Sequence, residues 1–212
     1  MNVLIINGSA RKDGFCNHIA NLMEKEFKRK GKIVNVSYYN ISDKNVAFCK
    51  GCVECCSDEK KYCYIDDDIN EAYKLMEEAS SIIYISPIYE SFISGILKNF
   101  FDRTNHYTSF FKLAGKNINL ILTGAQPLRG RTKEFSNLHV VNNINRYFEH
   151  YSIITHTHYT YLGFFHHLNH HSSMDEETEK INRKAIKDIT NKVIKQKIDY
   201  KKVMSSKNAY KV

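Results

Sequence analysis

"NVLIINGSARKDGFCNHIANLMEKEF", residues 2–27, decides the fold. A short run of almost unbroken apolar residues comes first, then a polar loop with two glycines and two cations. After that, Ile19, Leu22, Met23 and Phe27 recur at helical spacing. An apolar run without alternation reads as a strand covered on both faces. The amphipathic stretch after it reads as a helix ending near Gly31. Strand, loop and helix in that order make half of a parallel crossover unit.

The pattern repeats along the chain. Strand-like runs at 32–40, 82–89, 117–124 and 153–165 are each followed by a helical stretch, the last of these at 174–196. Pro87 reads as the stop of the third strand. Strand and helix alternating five times predict an α/β three-layer sandwich with a parallel sheet and helices on both faces. Five strands suit the flavodoxin-like order 2-1-3-4-5 better than a six-stranded dinucleotide fold. Residues 1–200 read as one domain carrying a cysteine-rich insertion at 48–64, with a basic tail at 201–212.

Such sheets bind ligands at the carboxyl ends of their central strands. The loop after the first strand, "GSARKDG" (8–14), leads into a helix N-terminus, where unpaired N–H groups and the helix dipole favour a phosphate. It has neither the G-K-[ST] of a Walker loop nor a G-x-G-x-x-G fingerprint. A plain polar turn explains it equally well. The loop after the third strand, "SPIYESF" (86–92), offers Tyr89 and Phe92 as a stacking surface, or is an ordinary turn before an amphipathic helix. The fourth strand ends in "TGAQPL" (123–128), where Gly124 permits close backbone approach.

"GSARKDGFC" and "SPIYESFISGILKNFFDR", separated by a cysteine-rich loop, resemble the NADPH-dependent FMN reductase family, and more closely its iron–sulfur flavoprotein branch. The resemblance covers most of residues 1–125. It implies that Ser9, Arg11, Lys12, Gly14 and Cys16 hold the FMN phosphate, and that Pro87, Ile88, Tyr89, Glu90, Ser91 and Phe92 form the isoalloxazine wall. Thr123, Gly124 and Gln126 would flank the ring's other side. Phe15-Cys16 stands where the family usually has Asn-Thr, which removes a hydroxyl donor. The activity implied is an FMN-dependent oxidoreductase with NAD(P)H as co-substrate, passing electrons to an acceptor. A flavin electron carrier serving a redox protein partner is the alternative.

Five of the six cysteines fall within "CKGCVECCSDEKKYC" (49–63). Cys49-x2-Cys52-x2-Cys55-x7-Cys63 matches the compact spacing of ferredoxin-type loops, with Cys56 spare, and assigns those four thiols to a [4Fe–4S] cluster. Zinc ranks lower, because it usually takes two separated pairs or histidines. A disulfide ranks lower still in a reducing compartment. The same segment without metal is the remaining reading. His166, His167, His170 and His171 read as a solvated loop and not as a metal site. His156 and His158 read as alternating along the fifth strand.

The formal net charge of +8 invites a nucleic-acid reading. Much of the excess lies in the last helix and tail, where lysines alternate with apolar residues as on a solvated helix face, and no nucleic-acid-binding motif accompanies it. No apolar run is long enough for a membrane span, and "MNVLIING" lacks the basic leader of a signal peptide. The expectation is a soluble cytoplasmic protein. Apolar residues in 104–115 and 158–165 predict a homodimer or tetramer. Arg129 and Arg131 are the candidate contacts for a nicotinamide 2′-phosphate.

Overall fold

The computed structural model describes residues 1–129, 137–166 and 176–197. Its elements are β1 (Asn2–Asn7), α1 (Phe15–Arg29), β2 (Asn35–Asn40), α2 (Ile69–Glu78), β3 (Ser81–Tyr89), β4 (Phe92–Ile93), α3 (Gly95–Arg103), α4 (Asn105–Phe110), β5 (Asn117–Gly124), α5 (Leu138–Thr155), β6 (His158–His166) and α6 (Glu176–Ile194). Five strands run parallel in the order β2-β1-β3-β5-β6, which is the expected 2-1-3-4-5 arrangement. A sixth strand was not expected: β4 is two residues long and folds back antiparallel on the end of β3.

Period-two alternation sorts the central strands into two cores. Leu4, Ile6, Ile82, Tyr84, Ile118, Leu120 and Leu122 face the layer built from α2, α3, α4 and α5. Val3, Ile5, Ile83, Ile85 and Ile121 face α1 and α6. Within the first layer Phe101 packs edge-on against Phe148 and Tyr151, with centroids 5.4 and 5.2 Å away. Such aromatic pairs add about 0.5–1.5 kcal/mol each beyond area burial.

Two sequence expectations shift. β3 runs through Pro87, which pairs with Thr123 of β5. The carbonyl of Ile85 points toward β1 and accepts from Gly8 N–H at 2.8 Å. Residue 87 points the same way, but β1 pairing ends at Asn7–Ile85. The N–H that proline lacks therefore has no ladder partner to lose. β6 begins at His158, not at Ile153, which lies in the last turn of α5. His156 N–H bonds Ile153 O and Thr157 N–H bonds Ser152 O, the two bonds of a Schellman closure, with His156 left-handed at φ 55°. His156 and His158 therefore do not alternate along one strand.

The apolar residues of 104–115 are mostly used at home: Tyr107 and Leu113 are fully buried. Residues 158–164, on edge strand β6, stay half-buried. No described helix is long and apolar enough to cross a membrane. Arg131, His167, His170, His171 and the 201–212 tail lie outside the described residues.

Candidate functional site

The parallel strands deliver the loops at 8–14, 90–91 and 125–128 to one edge of the sheet. Asn7 starts the first loop by accepting Ser9 N–H on its side-chain oxygen at 3.1 Å, an Asx turn. Ser9 is buried, and its hydroxyl accepts Arg11 N–H at 3.2 Å. The loop closes with Gly14 N–H on Arg11 O at 3.3 Å. A β-carbon on Gly14 would sit 3.0 Å from Arg11 Cβ and 3.2 Å from Arg11 O, a tight fit that favours glycine at the bend. Gly14 caps α1 without a side chain, and no acid occupies the helix's first turn. The first turn thus sets no carboxylate against the positive end of the dipole, with Asp13 the nearest acid before the cap, and such an end favours an anion.

The side chains named for this loop point in different directions. Arg11 is half-buried, while Lys12 is exposed and reaches Asp43 at 3.0 Å. Exposed pairs of this kind are worth roughly 0–1 kcal/mol, so Lys12 can exchange partners cheaply. Cys16 turns inward, its sulfur 3.1 Å from the Thr123 hydroxyl, with both residues buried. Burial pushes the Cys16 thiol up to about 12, against the hydrogen bond from Thr123. The side chains of Cys16 and Thr123 thus face each other and not the loop surface.

The second loop is a tight hairpin. Glu90 and Ser91 both have positive φ, 45° and 62°, between paired Tyr89 and Phe92. Two such residues in succession match the type I′ turn that joins twisted antiparallel strands. Tyr89 is 45% exposed, Glu90 and Ser91 are exposed, Ile88 is half-buried and Pro87 is buried. Phe92 packs edge-on against Tyr147 at 5.5 Å. On the third side, a β-carbon on Gly124 would meet Asn137 Nδ2 at 2.8 Å. That amide donates to Gln126 O at 2.8 Å, and His166 Nε2 pairs with Ala125 O at 3.0 Å. Gln126 and Arg129 are exposed.

Residues missed in the sequence hold these loops in register. Asn7 Nδ2 donates to the Tyr38 hydroxyl at 3.1 Å, and that hydroxyl donates to Asn17 Oδ1 at 2.6 Å. The chain of bonds fixes α1 over the ends of β1 and β2. Ser94 donates to Gly8 O and accepts Leu97 N–H, so it caps α3 and pins the first loop together. A serine directly before the third-loop helix was the available signal.

The cysteine segment lies between β2 and α2. Cys49, Cys52, Cys55 and Cys63 line one small cavity of about 40 Å³ with Gly51, Val53, Arg103 and Asn105. Cys49 and Cys52 are exposed, and Cys55, Cys56 and Cys63 are half-buried. Burial, then the neighbouring Cys56, pushes the Cys55 thiol up to about 11. Gly51 N–H donates to Cys49 Sγ at 3.4 Å. Cys56 lies outside that lining: its sulfur accepts from Asn105 Nδ2 at 3.2 Å and stands 3.9 Å from the Cys55 sulfur. Among the described residues no three His, Cys, Asp or Glu side chains converge on a single metal-ion position. A cubane spreads its four thiolates over separate corners, so the donor set suits a cluster better than one ion.

A doubly covered parallel sheet in the order β2-β1-β3-β5-β6 defines the flavodoxin-like fold. The sequence profile of the family described as NADPH-dependent FMN reductase matches residues 1–148. The chain belongs to that family. It is 30% identical over 139 residues to an iron–sulfur flavoprotein of Methanocaldococcus jannaschii, covering 66% of this chain and 70% of that one. It is 29% identical over 105 residues to an iron–sulfur flavoprotein of Clostridioides difficile, covering 50% of this chain and 46% of that one. The chain spans about half the length of several curated relatives it matches. Among solved structures, general stress protein 14 of Treponema denticola in complex with FMN superposes with a TM-score of 0.60 at 15% identity, covering 92% of this chain and all of that one. At that identity the match speaks for the fold.

Proposed function

We propose that this protein is an FMN-dependent oxidoreductase that takes hydride from NAD(P)H and passes electrons to an acceptor through a [4Fe–4S] cluster on Cys49, Cys52, Cys55 and Cys63. The observation that carries the reading is the N-terminus of α1, without a side-chain cap or an acid in its first turn, set at the switch point beside the exposed Tyr89 hairpin. When bound, FMN would supply two-electron hydride chemistry, and a cluster on the four cysteines would supply one-electron transfer. Backbone N–H groups of the 8–16 loop, with Ser9, Arg11 and Lys12, hold the phosphate. The hairpin Tyr89–Phe92 would form one wall for the ring, and the 123–126 segment with Gln126 would flank its other side. Glu90, exposed at the turn, would tune the polarity beside the ring.

An electron carrier serving a protein partner is the second reading. It is favoured by Phe48 and Val53, 80% and 66% exposed beside the first cysteines. Edge strand β6 supports a homo-oligomer, and a monomeric mass in light scattering would count against that.

The test is anaerobic purification followed by an absorption spectrum, iron and acid-labile sulfide analysis, and mixing with NADH or NADPH. Bleaching of the flavin by either nucleotide supports the reductase. Reduction by an added protein alone supports the carrier. A colourless protein that binds no FMN would overturn both.

A further inference from the structure

Arg103, in the last turn of α3, is the largest fully buried side chain among the described residues. Its Nη1 donates to Asp67 Oδ2 and to Ala47 O, both at 2.7 Å. Its Nη2 donates to Asp67 Oδ1 at 3.1 Å and to Ile65 O at 3.2 Å. Ala47 stands two residues before Cys49, and Ile65 stands two after Cys63. One guanidinium therefore closes the base of the whole cysteine segment. The fifth donor, Nε–H, is buried and has no acceptor. A buried donor without a partner is costly, and native structures rarely leave one. Arg103 and Cys63 line the same cavity. Burial opposes the charge of Arg103, but Asp67 and then Cys63 raise its affinity for the proton.

We propose that Arg103 is a positioning residue for the cluster: its Nε–H donates to the Cys63 sulfur when that sulfur is a bound thiolate, and its charge raises the cluster's reduction potential. The proposal rests on the cluster reading above. A thiolate is the acceptor that the free donor lacks, and charge-assisted donors to sulfur make a cluster easier to reduce.

The experiment compares anaerobically reconstituted wild type, Arg103→Met, Arg103→Lys and Asp67→Asn. It measures iron and sulfide per chain, and cluster midpoint potential by redox titration, with the flavin potential as internal reference. Arg103→Met should load less than half the iron of wild type, and its residual cluster should titrate at a more negative potential. Asp67→Asn breaks the same ion pair but removes a negative charge, so its cluster should titrate at a more positive potential. Arg103→Lys should recover part of the loading. Both flavin potentials should stay put. Shifts in the same direction for Asp67→Asn and Arg103→Met would overturn the proposal, as would wild-type loading and potential in both. Should Arg103→Met fail to fold, an unshifted cluster in Asp67→Asn overturns it alone. Wild-type protein that takes up no iron or sulfide would instead sink the cluster reading, and this role with it.

Discussion

The sulfur of Cys16 lies 3.1 Å from the hydroxyl of Thr123, joining the first turn of α1 to the end of β5 within the buried layer. Burial holds the thiol neutral, with its pKa raised from 9.0 to about 12. Thiolate is the reactive form. In native, reduced, metal-free protein at pH 8, alkylation should therefore modify the exposed Cys49 and Cys52 and spare Cys16 until denaturant is added. Peptide mass spectrometry reads this directly, and labelling of Cys16 at the rate of Cys49 would contradict it. The raised value also has a stability consequence. The contribution is intact below about pH 9 and is lost as pH climbs toward 12, because the unfolded chain releases that proton first.

Gly8 marks the tightest approach between the phosphate-type loop and α3. A β-carbon there would sit 2.7 Å from Leu97 Cβ and 3.2 Å from Ile85 O. Neither neighbour is the far end of a flexible chain. Gly8→Ala should cost about 1–3 kcal/mol, the usual range for overpacking. It should also displace the Ser94 cap that bonds Gly8 O. Urea melts of the two proteins measure the difference, and a change under about 0.5 kcal/mol would mean that α3 yields freely.

The parallel order was legible because β1, β3 and β5 are nearly continuous apolar runs while the intervening stretches keep helical spacing. What escaped depended on hydrogen-bond partners that residue type and spacing do not name. Whether Pro87 ends a strand turns on where β1 stops. Whether Ile153 and Ile154 extend a strand or finish a helix turns on Ser152 and Thr157 closing the Schellman bonds. Arg103 finds its acceptors 36 to 56 residues away, a separation no local pattern records. The inward turn of Cys16 was readable, since Cys16, Ile19, Ala20 and Met23 occupy one helix face and are all buried.

Tyr89 stands 45% exposed at the mouth of the hairpin, with Glu90 and Ser91 setting the turn. Its ring contributes little to the core, so Tyr89→Ala should leave the unfolding transition within about 0.5 kcal/mol of wild type. If the ring lies along the flavin, the loss of stacking is about 1.4 kcal/mol, or roughly tenfold weaker FMN binding. Titration of apo-protein with FMN, followed by flavin fluorescence, checks the affinity. Unchanged binding would remove Tyr89 from the site.

Asp67 makes the closure of the cysteine segment pH-dependent. Burial alone would raise its carboxyl, but Arg103 and the N–H groups of Ala47 and Ile69, at 3.0 and 3.1 Å, outweigh it and hold the pKa below 3.8. A depressed carboxylate stabilises the fold at pH values above its unfolded pKa, about 4, and loses that contribution as pH falls through the folded value. Breaking a buried pair by removing one partner costs about 3–5 kcal/mol. Asp67→Asn should therefore be less stable than wild type by an amount of that order near pH 6. The gap should narrow steadily below about pH 4, where the wild-type carboxyl also becomes neutral. Urea denaturation of metal-free protein across that range provides the measurement. A gap that stays constant down to pH 3 would mean that the carboxylate's charge is not what holds Arg103.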